Sequence, residues 1–189
     1  MSGYTSWGGY PSRPPRKVVQ FGWACDPLPP DRPLLAYGLG RSYGDSCLNE
    51  GGVILDTSAL MHIHRFDRER GILRAEAGMS LPAVLDLIVP EKWFLPVTPG
   101  TKFITLGGAV ANDVHGKNHH HDGTFGRHVR AFELLHSNGE RLVCSPTEHP
   151  ELFAATIGGL GLTGLITWVE IQLKRIETPW IRMQAIRFH

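Results

Sequence analysis

Cysteine is scarce in this chain. Three residues among 189, Cys25, Cys47 and Cys144, stand too far apart for a disulfide framework or for a CxxC redox or zinc motif. They read as reduced structural thiols. An excess of one charge is missing too. With a formal net charge of +1, a pI near 7.8 and basic residues scattered along the chain, no electrostatic footprint for nucleic acid exists. No run approaches the roughly eighteen apolar residues that span a bilayer. The opening "MSGYTSWGGYPSRPPRK" has no apolar core of the kind a secretory signal carries, so the expected location is the cytoplasm. What remains, 42% hydrophobic and 20% charged residues, is the composition of one globular domain with a real core.

Proline and glycine are plentiful. Pro11, Pro14, Pro15, Pro27, Pro29, Pro30 and Pro33 break the first part of the chain into loop, leaving short extended pieces at Lys17–Phe21 and Leu34–Tyr37. From Gly52 the signals sharpen. "GVILDTS" reads as a buried strand, and "MHIHRFDRERGILRAEAG" alternates on both sides of a polar turn, as a hairpin does. Ser80 caps a helix with Pro82 in its first turn and Leu81, Val84, Leu85 and Ile88 on one face, stopped by Pro90. A second helix starts near Thr105. "VRAFELLHS" and "RLVCS" flank Asn138 and Gly139, a dipeptide that tolerates positive φ and suits a tight turn. "PELFAATIG" reads as a short helix and "GLITWVEIQLKRI" as one long strand. The mixed order, without a regular βαβ repeat, predicts an α+β fold.

Three glycine-rich turns stand out. "LLAYGLGRSYGD" places Gly38, Gly40 and Gly44 after a short strand, one residue too many for GxGxxG, and "DSCLNEGG" follows where a dinucleotide-binding turn must open a helix. A Rossmann turn is rejected. Either an ordinary turn or a nest of N–H groups around an anion remains. In "PGTKFITLGGAVAND", Pro99, Gly100 and Thr101 form a stiff turn, and Gly107, Gly108, Ala109 and Ala111 leave a helix start nearly bare. Bare helix starts suit phosphates, and they equally suit tight packing on a sheet. Gly158, Gly159, Gly161 and Gly164 lead into the last strand, marking bulges or the close approach of a flat ligand. Three such turns in one modest domain point to a long ligand held mostly through backbone, such as a dinucleotide. The cluster "DVHGKNHHHDG" holds four of the ten histidines. His115 and His119 have the i, i+4 spacing of metal ligands, yet Gly116 interrupts a helix there and no HExxH or second carboxylate-bearing motif appears. We expect no metal site; a metal-dependent hydrolase built on these histidines is the reading this sets aside.

Together "YGLGRSYGD", "PGTKFITLGGAVANDVHGKNHH", "GTFGRHV" and "IGGLGLTGLI" resemble the FAD-binding domain of the vanillyl-alcohol-oxidase and p-cresol-methylhydroxylase superfamily of FAD-linked oxidases. The resemblance runs from about Gly38 onward, with a weaker echo in "SWGGYP". It implies a p-cresol-methylhydroxylase-like FAD-binding domain of two α+β subdomains. Residues 1–33 would form a proline-rich segment contributing to the small lobe, 34–178 the FAD-binding domain, and 179–189 the start of a link to a substrate domain absent from this chain. The first loop around the FAD pyrophosphate would be Tyr37, Gly38, Leu39, Gly40, Arg41, Ser42, Tyr43, Gly44, Asp45 and Ser46. Gly100, Thr105, Leu106, Gly107 and Gly108 would continue the cradle. Asn112, Asp113, Val114 and His115 would line the flavin, and Ile166 would touch the adenosine side. Many relatives bind flavin covalently through a first-loop histidine where this chain has Arg41, which implies non-covalent FAD here.

The resemblance also places His115 beside the isoalloxazine and Lys117 on the substrate side, as the catalytic pair. The activity implied is oxidation of a secondary alcohol of a sugar or polyol by hydride transfer to flavin N5. The alternative is a flavin-binding module inactive alone, which needs a substrate domain or a reductase partner. Membrane association would be peripheral, if the sugar is lipid-linked. One departure is local: between Val19 and Leu34 the family has a helix, and this chain has the proline-broken "QFGWACDPLPPDRP".

Overall fold

The computed structural model describes residues 3–181 and 183–187. In chain order its strands are β1 (Lys17–Gln20), β2 (Leu34–Tyr37), β3 (Val53–Asp56), β4 (Ile63–Asp67), β5 (Ile72–Glu76), β6 (Trp93–Phe94), β7 (Val129–Leu135), β8 (Arg141–Cys144), β9 (Leu165–Gln172) and β10 (Lys174–Arg175). The helices are α1 (Leu81–Ile88), α2 (Leu106–Ala111), α3 (His119–Asp122) and α4 (Pro150–Thr156). Two sheets dominate, and they form the expected α+β architecture of two subdomains.

Val53, Ile54 and Leu55 are an unbroken apolar run, which is stable as a strand only when both faces are covered. β3 accordingly lies at the centre of a three-stranded sheet, with β1 and β2 parallel to it on either side. Parallel strands require crossovers, and residues 21–33, from β1 to β2, and 38–52, from β2 to β3, make them without a helix. Polar ties hold the first of these loops against the second sheet: Arg141 Nη2 donates to the Asp26 carbonyl at 2.9 Å and Arg32 Nη2 to the Ser137 carbonyl at 2.8 Å.

The second sheet is antiparallel, in the order β4, β5, β9, β7, β8. Alternation along its strands sends Leu73, Ala75, Phe132, Leu134, Val169 and Ile171 into the main core, where they meet Leu81, Val84 and Ile88 of α1 and Leu106, Ala109 and Val110 of α2. Phe153 of α4 stacks on Phe132 at 5.1 Å. Each large side chain buried this way contributes about 1.5–3 kcal/mol relative to exposure. The opposite face is polar: the Arg74 guanidinium lies 4.2 Å over the Trp168 ring and pairs with Glu170 at 2.9 Å.

Local signals behave as their chemistry requires. The Ser80 hydroxyl accepts from the Ala83 N–H at 3.5 Å at the start of α1, and Gly139 takes φ +87° in the β7–β8 turn. The single long strand expected over "GLITWVEIQLKRI" does not form. β9 ends at Gln172, whose amide donates to the carbonyls of Arg70 and Gly71, while the Leu173 N–H is drawn to Gly71 as well. This bends the chain at a buried Leu173, and Lys174 and Arg175 pair with β6 instead. Among the described residues no helix is long and apolar enough to cross a membrane.

A smaller core of Phe21, Leu55, Leu60, Leu135 and Leu165 joins the two sheets. Leu55→Ala is expected to lower the unfolding free energy by about 2–5 kcal/mol, because the cavity sits between two layers that cannot both collapse into it. Urea denaturation measures this, and a loss below about 1 kcal/mol would mean that the sheets do not depend on a shared core.

Candidate functional site

A groove of about 660 Å³ opens along the junction of the two sheets. Volumes of this order accommodate drug-sized ligands and cofactors. The loop after β2 supplies Gly38, Leu39, Gly40, Arg41, Ser42, Tyr43 and Ser46 to its wall; the α2 region supplies Gly100, Thr105, Gly107, Gly108, Asn112, Val114 and His115; β9 supplies Ile166. Three turns far apart in sequence therefore meet in one depression.

Other residues expected at the site stand off the wall, each for a visible reason. Tyr37 is buried, with its ring edge-on to Tyr4 and its hydroxyl donating to the Thr5 carbonyl at 2.6 Å. Leu106 is fully buried in the main core. Gly44 takes φ +60° and the Asp45 carbonyl accepts from the Leu48 N–H at 2.8 Å, so both shape the end of the loop. Asp113, at φ +40°, accepts the Gly126 N–H on Oδ1 at 2.8 Å, which fixes the course of the chain behind the groove. Lys117 is exposed, beyond the wall.

The bare start of α2 does not offer free amides. The Thr105 hydroxyl caps it by accepting from Gly108 N–H at 3.1 Å, while Leu106 N–H donates to Met79 and Gly107 N–H to Ala77. The small residues are there for packing: a Cβ on Gly107 would come within 2.9 Å of the Ala77 Cβ, and one on Gly38 within 2.7 Å of the Thr105 hydroxyl. The available donors lie elsewhere. Among the described residues the N–H groups of Leu39, Gly40, Arg41 and Tyr43 in the first loop, and of Gly100 and Thr101 in the second, have no hydrogen-bond partner in the protein. Gly40 reaches φ +63°, the left-handed conformation that an anion-binding nest requires at one of its residues. Gly100 lines the groove with nothing within 4 Å of the place a Cβ would take.

The electrostatics agree with an anionic ligand. Arg41 is the wall's one permanent cation and no Asp or Glu lines it, among the described residues. Its guanidinium sits 5.7 Å over the Trp7 ring. Trp7 belongs to an N-terminal strap that the sequence signals only through "SWGGYP". The strap is tied down by the Trp7 N–H to the Ser42 carbonyl at 3.1 Å and the Tyr4 hydroxyl to Asp56 at 2.7 Å. Pro99, Thr101, Ile104 and Leu160 also line the groove and were not singled out as contact residues by sequence. Their type is ordinary, and only position makes them part of the site. Cys47 lines it as well, and burial pushes its thiol upward, so it stays protonated.

At one end of the groove His115 bridges to Thr124, with its ring 5.8 Å from that of His119. His119, His120 and His121 form the single turn of α3, and successive rings lie at 86° and 50° to one another. Among the described residues no group of three His, Cys, Asp or Glu side chains is placed to hold a metal ion. α3 is anchored instead by Asp122, whose carboxyl is held below its ordinary range first by the Lys174 ammonium and then by the Asn118 amide.

A groove lined by glycine-rich loops with unpaired amides, one arginine and no carboxylate suits the class of proteins that hold an anionic ligand, such as a dinucleotide diphosphate, outside the Rossmann plan. The family of FAD binding domains matches residues 30–145, more than half of the chain, and the chain belongs to it. The cofactor of this family is FAD. The chain is 45% identical over 150 residues to decaprenylphosphoryl-β-D-ribose oxidase of Mycolicibacterium smegmatis, covering 79% of this chain and 33% of that protein. Cytokinin dehydrogenase 8 of Oryza sativa subsp. japonica is 31% identical over 168 residues, covering 81% of this chain and 31% of the relative. Delta(24)-sterol reductase of Rattus norvegicus is 31% identical over 114 residues, covering 60% and 22%. The chain thus spans at most about a third of the length of these curated relatives.

The strap gives a pH test. Its hydrogen bond to Asp56, reinforced by burial, pushes Tyr4 up to about 12. A raised value means that the neutral phenol is favoured in the folded chain, so this stabilisation is whole below about pH 10 and is lost as pH rises through about 12. Wild type should exceed Tyr4→Phe in urea midpoint below pH 10, with the gap closing above it; a gap that persists into strong alkali refutes the bond.

Proposed function

We propose that this chain is the cofactor-binding part of an FAD-dependent oxidoreductase that oxidises a secondary alcohol of a sugar or polyol. The observation that carries the reading is the amide-walled groove, whose residues match what a bound FAD needs at its diphosphate. Decaprenylphosphoryl-β-D-ribose oxidase is by name an oxidase of a ribose compound, and similarity to it across 79% of this chain supports a CH–OH substrate. When bound, the flavin supplies the hydride acceptor, at N5.

The protein's own residues do the rest. The free N–H groups of the first loop and of Gly100 and Thr101 hold the diphosphate, with Arg41 balancing its charge. Asn112, Val114 and His115 border the flavin, and Ile166 marks the adenosine end. His115 orients the hydroxyl-bearing carbon. Lys117 brings a positive charge to the substrate side, where it acts most strongly once substrate has displaced water. The cofactor is held non-covalently: Arg41 stands where a linking histidine would be, and the buried Cys47 thiol is a poor nucleophile. The proposed setting is the cytoplasm, with contact at the membrane surface if the sugar is lipid-linked; the three cysteines are free, as a reducing compartment keeps them. A second reading, flavin binding without turnover by this chain alone, is favoured by the exposure of both His115 and Lys117. Either a further domain or a partner would then cover them.

The purified protein is expected to show flavin absorbance, or to acquire it with added FAD, and to release the chromophore on denaturation. Absence of absorbance after FAD addition refutes the proposal, and chromophore that stays with the denatured chain refutes non-covalent binding. Lys117→Ala should lower alcohol oxidation about a hundredfold while leaving FAD affinity within about twofold. Steady-state turnover by this chain alone excludes the second reading.

A further inference from the structure

The N-terminal strap packs directly on the first loop. Trp7 stands at the tip of a turn from Ser6 to Gly9, closed by the Gly9 N–H on the Ser6 carbonyl at 3.1 Å. Just before it, the Thr5 backbone engages the Tyr37 hydroxyl twice, donating its N–H at 3.1 Å and accepting on its carbonyl at 2.6 Å. Gly40 lies against this pair: a Cβ there would collide with the Tyr37 hydroxyl and with the Thr5 carbonyl.

The strap also sets the direction of a peptide in that loop. A trans peptide points its C=O and the N–H that follows in opposite directions. The Ser42 carbonyl accepts the Trp7 N–H at 3.1 Å, so the Tyr43 N–H of the same peptide turns away from the strap's backbone, and it has no partner among the described residues. The Leu39 carbonyl is engaged likewise, by Arg41 Nη1 at 2.5 Å, and the Gly40 N–H of that peptide is free. Two of the loop's free amides thus take their orientation from a bond made by the carbonyl of the same unit.

Arg41 is held from two sides. One is the Leu39 carbonyl, and the other is the Trp7 ring, 5.7 Å from the guanidinium carbon and inside the roughly 6 Å reach of cation–π attraction. Both side chains are exposed and both line the groove. An exposed arginine has many rotamers to lose on meeting an anion, and one already held loses fewer.

We propose that Trp7 is a positioning residue for the diphosphate of the cofactor: its N–H orients the Tyr43 peptide, and its ring holds Arg41 at the groove. This rests on the reading that the groove binds FAD. The ring acts through the arginine, so its effect disappears when Arg41 is removed.

Equilibrium binding of FAD to the full chain tests the ring in a double-mutant cycle. Trp7→Leu, which stays apolar without an aromatic face, should weaken FAD about fivefold, and Trp7→Phe, which keeps such a face, should recover most of that loss. In an Arg41→Ala background the same Trp7→Leu change should cost less than about twofold. Added salt should weaken FAD less in Trp7→Leu than in wild type, because the charge that salt screens is no longer held in place. Amide hydrogen exchange tests the backbone: the Trp7 amide should be protected in the free chain, and the Tyr43 amide should gain protection only when FAD is added. An equal loss from Trp7→Leu with and without Arg41, no loss in either, or a Tyr43 amide that stays unprotected with FAD bound overturns the proposal. Failure of wild type to bind FAD at all overturns the FAD reading itself.

Discussion

A backbone N–H turned into a groove without an acceptor is unstable in a dry setting and only tolerable in a wet one, so a loop that collects several of them is shaped by what will replace the water. The loop after β2 and the turn at Gly100 both line one depression. The neighbouring helix adds no free amides of its own. Thr105 closes α2 on its own hydroxyl, Ala77 and Met79 absorb the next amides of that helix, and Asp113 fixes the chain beyond it. The helix is thus a rigid wall, and the loops are the binding surface.

Two sheets of different construction make the depression possible. The parallel one ends in a loop whose glycines can bend sharply, and the antiparallel one provides an extended, well-buried support. They meet through a few leucines and a phenylalanine, while arginines from β8 and from the loop before β2 tie the crossover loop in place from outside. Because that junction is small, the groove follows it closely. A loose junction would spread the two sets of amides beyond the reach of a single diphosphate.

Much of the fold was legible because its signals are local. A serine followed by proline and spaced leucines, a threonine before small residues, and Asn138 with Gly139 between alternating runs each act over a handful of neighbours, and each produced the element expected. The family motifs, likewise, lie in short contiguous stretches, three of the four inside the matched residues 30–145 and the fourth, at 157–166, beyond them. What failed depended on distant partners. Nothing near Leu106 or Gly107 tells that carbonyls of residues 77 and 79 will take their amides. Nothing near Asp113 names Gly126 as its partner, and the bend at Leu173 comes from a carbonyl a hundred residues earlier. Trp7 was missed as a wall residue for the same reason, since only the strap's ties to Ser42 and Asp56 bring it over.

The groove draws its walls mainly from the strap at Trp7, from residues 36–47, from 99–115 and from 160–166, with Thr57 and Ala77 added singly, so no contiguous piece of chain contains it. A ligand seated there fastens four remote segments at once and binds the native form alone. At a free concentration of a hundred times its dissociation constant such a molecule adds about 2.7 kcal/mol to native-state stability. Occupancy and folding are therefore linked: a filled groove resists unfolding by that margin more than an empty one, and the gain is shared by every segment that lines it.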